Sequence, residues 1–331
     1  MRLRIAVVAV LLSAVSFNAR AQQKSCPAGT GGLDPNTISQ DACQMAYDVF
    51  QFLAPQLGIA LTGGNATLGQ GGALGGLGHF ALELRANVLD GDLPDVQKFP
   101  QPSTSGRQSH TLPTKSQFVG LPTVDAGIGI FKGLSLGLTN VGGVDLLLSA
   151  SYIPTVGGPN DAVQVKPNQS LNIGVGARVG IIQESLLTPG VSVTYLRRDL
   201  PTTTIIGTSS GVDVSVRDAS VKTNAWRLTA SKSLILFSLA AGIGRDSYDQ
   251  SATIQGTVTN PVAVQSQPVL VKQSMTRTNY FVDGSLNFII AKIVAEVGQV
   301  TGGSVSTYNT FSGGAADKSR LYGSLGVRIG F

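Results

Sequence analysis

Hydrolytic chemistry at neutral pH most often depends on histidine, and the sequence contains two, His79 and His110. His79 precedes a segment in which apolar and polar residues alternate, and His110 lies in a stretch without periodicity. A serine–histidine pair could form only if folding brought the partners together. We therefore expect no catalytic residues and predict that the chain is not an enzyme.

Carboxylates and glycines offer two further kinds of chemistry. Asp90, Asp92 and Asp95 alternate in a glycine-containing segment, where oxygen ligands for calcium could converge. Their spacing does not complete an EF-hand loop, so we favour solvated loop acids. The glycine-dense stretch 63–76 lacks the Lys-Ser/Thr ending of a phosphate-binding loop. We expect no metal and no cofactor.

Many other charged residues alternate with apolar ones, which is the period of a β-strand. In the last segment Arg320 and Arg328 share one face, and Leu321 and Val327 share the other. A strand that is apolar on one face and charged on the other fits a barrel with lipid outside and water inside. The lumen-lining residues predicted by this pattern are Glu83, Arg85, Asp125, Asn172, Arg178, Arg227, Asp283, Asn287, Lys292, Glu296, Arg320 and Arg328.

The final strand carries Leu325, Val327 and Ile329 on its apolar face and ends on Phe331. It resembles the closing strand of bacterial outer-membrane β-barrels, a superfamily whose members commonly end in an aromatic residue read by the outer-membrane assembly machinery. The resemblance implies a location in the bacterial outer membrane and contact with that machinery. Leu325, Val327, Ile329 and Phe331 are the expected assembly signal.

The N-terminus has the pattern of a secretory signal peptide. Arg2 and Arg4 precede an apolar run, and Ala19-Arg20-Ala21 fits a cleavage site after Ala21. Removal of residues 1–21 takes away three arginines and no acid, so the formal net charge falls from +5 to +2. This small charge gives no reason to expect a nucleic-acid partner. Mean hydropathy is nevertheless positive, at +0.20, which lipid-facing strands would explain.

The two cysteines, Cys26 and Cys43, follow the predicted cleavage site. In an exported protein two cysteines most often form a disulfide, because the periplasm is oxidising. A metal site is the alternative, but neither cysteine has a histidine nearby. We predict a Cys26–Cys43 disulfide.

One amphipathic helix precedes the barrel. Thr37 and Gln40 have capping-box spacing, and apolar residues recur at helical intervals until Pro55. We assign residues 22–75 to a periplasmic N-terminal helix and glycine-rich segment. The helix should pack either at the periplasmic mouth of the barrel or inside it as a plug.

Residues 76–331 are predicted to be all-β, forming a transmembrane antiparallel up-and-down barrel. About ten strands can be counted, and twelve remain possible. Bacterial barrels have even strand numbers, short periplasmic turns and long external loops. The longer polar segments, and hence the expected external loops, are near 91–120, 154–168, 200–215, 248–274 and 303–317.

For a protein of the outer membrane, two functions at the outer surface can be considered: lipopolysaccharide binding and proteolysis. Arg197 and Arg198 could bind lipopolysaccharide phosphates in a bidentate manner, and pairing with Asp199 or Asp218 is an equally good alternative. An omptin-like protease would need an Asp-x-His pair, and neither histidine follows that pattern. Outer-membrane lipid is an expected partner, and the sequence leaves the oligomeric state open.

The expected function is that of a structural barrel or a narrow passive channel with a polar lumen and exposed loops. A barrel of about ten strands is little wider than one of eight, whose side chains nearly fill it, which argues against a general porin. Two alternatives stay open: a transporter of hydrophobic small molecules with an N-terminal hatch, and a surface adhesin. The sequence does not specify a solute or ligand.

Overall fold

The computed structural model of the chain describes residues 26–30, 34–158, 161–209, 211–259 and 263–330. The predicted signal peptide, residues 1–21, and the terminal Phe331 lie outside these described residues.

Ten antiparallel strands close into a barrel. Each pairs with its neighbour in the chain, and the last pairs with the first, with Ile329 opposite Leu82. The predicted all-β, ten-stranded antiparallel barrel is therefore confirmed. The strands are β1 Phe80–Pro94, β2 Thr114–Phe131, β3 Gly143–Tyr152, β4 Leu171–Ile182, β5 Gly190–Asp199, β6 Val212–Ser233, β7 Phe237–Val258, β8 Val269–Asn287, β9 Ala291–Thr301 and β10 Arg320–Gly330.

The connections alternate between the two ends of the barrel. We call the end with the connections after β1, β3, β5, β7 and β9 the loop end, and the opposite end the turn end. Three extra strands enlarge the wall at the loop end: Val163–Pro167, Thr203–Ser209 and Val264–Gln265. Smaller elements in the connections are the 3-10 helix Val96–Lys98, the hairpin Leu134–Leu136 with Thr139–Val141, and the parallel pair Thr111–Leu112 with Thr310–Phe311.

The predicted loop 248–274 is wrong over most of its length. Strand β7 continues to Val258 and β8 already begins at Val269. Tyr248 and Ile254 are fully buried in the interior, so the period of two persists there. The segment looks like a loop in the sequence because its outward residues are polar.

The barrel wall separates apolar from charged side chains. Leu84 is 64% exposed and Ile173 is 71% exposed on the outer surface, whereas Glu83 and Arg85, next to Leu84, are each 1% exposed. Such an exterior is stable in contact with lipid, because an apolar belt of this size in contact with water would be unfavourable. Among the described helices, none combines the length and hydrophobicity that crossing a membrane would require.

A single α-helix, α1 Pro35–Thr62, precedes the barrel. The side chain of Asp34 caps it by accepting a hydrogen bond from the Asn36 N–H at 2.7 Å, and Pro35 occupies the first turn. The predicted capping box at Thr37 and Gln40 is thus not the start of the helix. The predicted end at Pro55 is also wrong, because 22 of the 28 helical residues are buried and packing continues past the proline.

The lipid-facing belt gives a first test. Leu84→Arg places a guanidinium at the middle of the belt and should lower the free energy of unfolding by about 2 to 4 kcal/mol. The same change at Leu138, which is exposed in the hairpin at the turn end, should cost about 1 kcal/mol or less because the penalty falls towards the interface. Equilibrium folding into phospholipid vesicles measures both, and equal losses would contradict the placement of the belt.

Candidate functional site

Helix α1 lies inside the barrel. Its N-terminal half packs against the loop ends of β6, β7 and β8 in an apolar cluster that contains Tyr47, Phe50 and Ile254. Its last turn reaches the middle of the lumen, where Gly63 lies against Tyr322 of β10. The sequence analysis left open whether the helix packs at the periplasmic mouth of the barrel or inside it. The structure places the helix inside, with its N-terminus towards the loop end.

The predicted disulfide is confirmed. Cys26 and Cys43 are bonded, with 6.0 Å between their Cα atoms, and both side chains are buried. The bond joins the segment before the helix to the third turn of the helix, within the same apolar cluster at the loop end. It therefore fastens the start of the chain's described part to the helix.

The C-terminal end of α1 meets a group of buried donors. The last carbonyls of an α-helix have no partner within the helix. Here, the carbonyl groups of residues 60–64 accept hydrogen bonds at 2.5 to 3.3 Å from Arg85, Asn87, Arg198 and Arg227. Three guanidinium groups at this end also face the negative end of the helix dipole. We call these four side chains the carbonyl-binding group.

Carboxylates on other strands hold these arginines in place, and only the Arg85–Asp125 pair joins neighbouring strands. Asp125 lies 2.7 Å from Arg85 Nη2 and 3.3 Å from Arg198 Nη2, and Glu296 lies 3.5 Å from Arg227 Nη1. All of these side chains are 3% exposed or less. A buried charge is tolerated when it is both paired and hydrogen-bonded, and here the helix supplies part of that hydrogen bonding.

The chain leaves the helix and runs down the lumen to the turn end. We call residues 63–76 the threaded segment. Gly71 shows how closely it approaches the wall, because a Cβ atom there would lie 2.4 Å from the Ser231 nitrogen. Three backbone N–H groups donate to interior carboxylates at 3.0 to 3.1 Å: Gly64 to Glu296, Leu68 to Glu83 and Leu74 to Asp145.

At the loop end, two helical carboxylates bind the connections. The Asp41 carboxylate accepts from the backbone N–H groups of Ser103 and Gln108 at 2.8 and 2.9 Å, and its Oδ2 lies 2.7 Å from His110 Nε2. The Asp48 carboxylate accepts from the Asn309 N–H at 2.8 Å. Burial raises the pKa of Asp48, and its hydrogen bonds partly offset that effect. Two loops are thereby tied to one helix.

The structure places the predicted lumen residues around this buried chain. Half-buried positions near the barrel ends are occupied by Asn172, Asn287 and Lys292. The other nine are buried in the interior: Glu83, Arg85, Asp125, Arg178, Arg227, Asp283, Glu296, Arg320 and Arg328. The side chains of Leu325, Val327 and Ile329 are exposed on the outer face of β10, and their role as an assembly signal stays a prediction.

Arg198 is the principal residue that the sequence analysis misplaced. It was treated with Arg197 as a rim residue for phosphate binding, but its side chain is buried and belongs to the carbonyl-binding group. Arg197 points outward and lies 3.2 Å from Asp199. The parity of β5 carried the missing signal, because Leu196 and Arg198 share the inward face.

Two of the three candidate calcium acids pair with cations, and the third, Asp90, is exposed. Asp92 is buried and lies 2.5 Å from Lys318 Nζ and 3.0 Å from Arg320 Nη1. Asp95 pairs with Lys98 at 2.8 Å. Within the described part of the chain, no cluster of three histidine, cysteine or acidic side chains is arranged to hold a metal ion. The preferred interpretation as solvated acids is wrong for Asp92.

No protein-family model and no curated protein sequence matches the chain. It is similar to solved structures of OmpT, an outer-membrane protein of Vibrio cholerae. The in-vitro folded form is 11% identical, with a TM-score of 0.20, over 76% of this chain and 96% of that one. The outer-membrane expressed form is 9% identical, with a TM-score of 0.16, over 76% and 97%. Likenesses this weak carry no argument, and the fold of an outer-membrane β-barrel rests on strand pairing and the lipid-facing belt.

One prediction is corrected by this comparison. The sequence analysis excluded an enzyme, whereas two of the matching solved structures are of OmpT, so that exclusion does not stand. At a TM-score of 0.20, the likeness supports no particular activity.

Arg198 and its neighbour Arg197 form a matched pair for testing the carbonyl-binding group. Arg198→Gln removes hydrogen bonds to the Leu61 and Gly64 carbonyls and half of the pairing of Asp125, so the free energy of unfolding should fall by about 3 kcal/mol. Arg197→Gln removes an exposed pair and should change it by less than about 1 kcal/mol. Urea unfolding in detergent compares them, and equal effects would show that the interior contacts of Arg198 contribute nothing special.

Proposed function

We propose that the chain is an integral barrel of the bacterial outer membrane whose own N-terminal segment closes the lumen, so that the protein is a channel that is shut at rest. The observation that carries this proposal is the carbonyl-binding group, which fixes the end of α1 at mid-lumen with hydrogen bonds to residues 60–64. A helix resting loosely in a pore would need no such contacts from three strands.

The dimensions of the helix and the barrel support closure of the lumen. An α-helix with its side chains is about 10 to 12 Å across, and the interior of a small barrel is filled by side chains at about eight strands. Ten strands provide little more room than one helix needs. The threaded segment continues the obstruction to the turn end, where Leu74 is held by Asp145.

The membrane location and orientation belong to the same proposal. Bacterial barrels carry short turns on the periplasmic side and long loops outside, so the loop end, with the disulfide and the N-terminus of α1, faces the exterior. This proposal replaces the periplasmic position that the sequence analysis expected for the helix. Outer-membrane lipid contacts the apolar belt. The assembly machinery would read Leu325, Val327, Ile329 and Phe331, and export would depend on the signal peptide at residues 1–21.

The transporter of hydrophobic molecules is less well supported. It needs a greasy cavity behind the helix, and the cavity bordered by Met45, Val96 and Phe99 measures about 10 Å³. This volume barely accommodates one water molecule. The buried charges around the end of α1 are also unsuited to an apolar solute.

A surface-binding role is a second candidate, favoured by the order of the loop end. Asp41 holds the connection after β1, and Asp48 holds the connection after β9. A preorganised surface loses less conformational entropy on binding than free loops would. Deleting residues 101–108 should abolish such binding to a surface ligand while the barrel stays inserted and shut. Unchanged binding would remove this candidate.

Conductance tests the closed channel. In planar bilayers, the refolded chain from residue 22 onward should be silent, whereas the variant lacking residues 22–76 should conduct steadily because neither the helix nor the threaded segment fills the lumen. Arg198→Gln should show intermittent openings, and Arg197→Gln should stay silent.

Two outcomes would contradict closure. Steady conductance of the intact chain would mean that α1 is not a plug. Silence of the deletion variant, in protein shown by heat-modifiable migration and protease protection to be folded and inserted, would leave a structural barrel without a channel function.

A further inference from the structure

A separate cavity opens at the turn end of the barrel, beside the threaded segment and apart from the carbonyl-binding group. Its volume is about 230 Å³. Polar side chains on its wall are Gln70, His79, Glu184, Ser231, Ser233, Lys292 and Arg328. None of these has a part in closing the lumen at the end of α1.

Two cations face each other across the wall of this cavity. Lys292 of β9 and Arg328 of β10 are directly opposite in the strand register. Like charges at opposed positions destabilise a sheet. Among the described residues, no carboxylate oxygen lies within 4.0 Å of either cationic group, although Arg328 Nη1 donates to the Leu68 carbonyl at 2.7 Å.

The one acid on the cavity wall already has partners. The Glu184 carboxylate accepts hydrogen bonds from the Ser233 N–H and from the hydroxyls of Ser231 and Ser233. Arg328 is 5% exposed, so its charge is largely removed from solvent. The cavity wall thus combines two adjacent positive charges, one of them buried, with a single acid that is hydrogen-bonded elsewhere. Outside the cavity lining, Glu83 of β1 is also opposite Arg328 in the register, but its carboxylate accepts from the Leu68 N–H and forms no ion pair with the guanidinium within 4.0 Å.

We propose that this cavity binds an oxyanion of the phosphate class between Arg328 and Lys292. An anion there would convert a repulsive cross-strand pair into two attractive contacts, and guanidinium is suited to phosphate oxygens. The volume is sufficient for an oxyanion with several waters, since one water takes about 30 Å³. The phosphate group has two possible sources, free phosphate and a lipid headgroup at the membrane surface by the turn end.

Titration of the full mature chain with inorganic phosphate in a zwitterionic detergent, followed by calorimetry and ³¹P NMR, tests the site. Wild-type protein should bind saturably, and Lys292→Gln and Arg328→Gln should each weaken binding by about tenfold or more, as expected for the loss of one charged contact. Lys132→Gln removes one exposed positive charge at the same end, outside the cavity, and should bind like wild type.

A second measurement separates binding from misfolding. Without phosphate, Lys292→Gln should unfold at the same temperature as wild type or higher, because it relieves the repulsion; phosphate should raise the wild-type Tm and leave that of the variant nearly unchanged. Competition by phosphatidylglycerol, but not phosphatidylcholine, would identify a headgroup as the source, and its absence would identify a soluble anion. No saturable binding by wild type, or equal weakening in Lys132→Gln, would overturn the proposal.

Discussion

The structure depends on how the end of a helix can be accommodated inside a barrel. A helix that ends at the surface leaves its last carbonyls to water, but α1 ends at mid-lumen, where they must find protein donors. Arginine suits this task because one planar group presents several N–H donors and keeps its charge. Arg85, Arg198 and Arg227 come from three different strands, so the helix end also ties distant parts of the wall together.

The charged side chains of the interior bind the backbone according to their sign: cations bind carbonyl groups and carboxylates bind N–H groups. Arginines bind backbone carbonyls at the end of α1, while carboxylates bind backbone N–H groups of the threaded segment, as Glu83 does with Leu68. A barrel wall that carries both positive and negative side chains can therefore provide hydrogen-bond partners for the backbone of an irregular segment that forms no secondary structure of its own. This arrangement also explains why many acids and bases need not pair across an empty pore.

The sequence predicted the wall better than its contents. Alternation identified the ten strands and the inward positions because the period of two is local and depends only on which face meets lipid. The end of α1 at Thr62 could not be predicted, since Pro55 stops most helices and only contacts with residues far along the chain outweigh it. Arg198 was missed for the opposite reason: its parity was available, but its position beside Arg197 suggested one shared role.

The threaded segment has a consequence for assembly. The wall forms a complete ring around a length of its own backbone, and the seam that closes the ring joins β1 to β10, nearly the whole barrel sequence apart. Passing a helix with a disulfide-bonded start through a ring already closed would be sterically demanding, so we expect the sheet to curl around the central chain and to close last at this seam. Pairing across such a sequence separation is slow to form. Helix α1 and the threaded segment would then act as an internal template around which the sheet forms before the barrel closes.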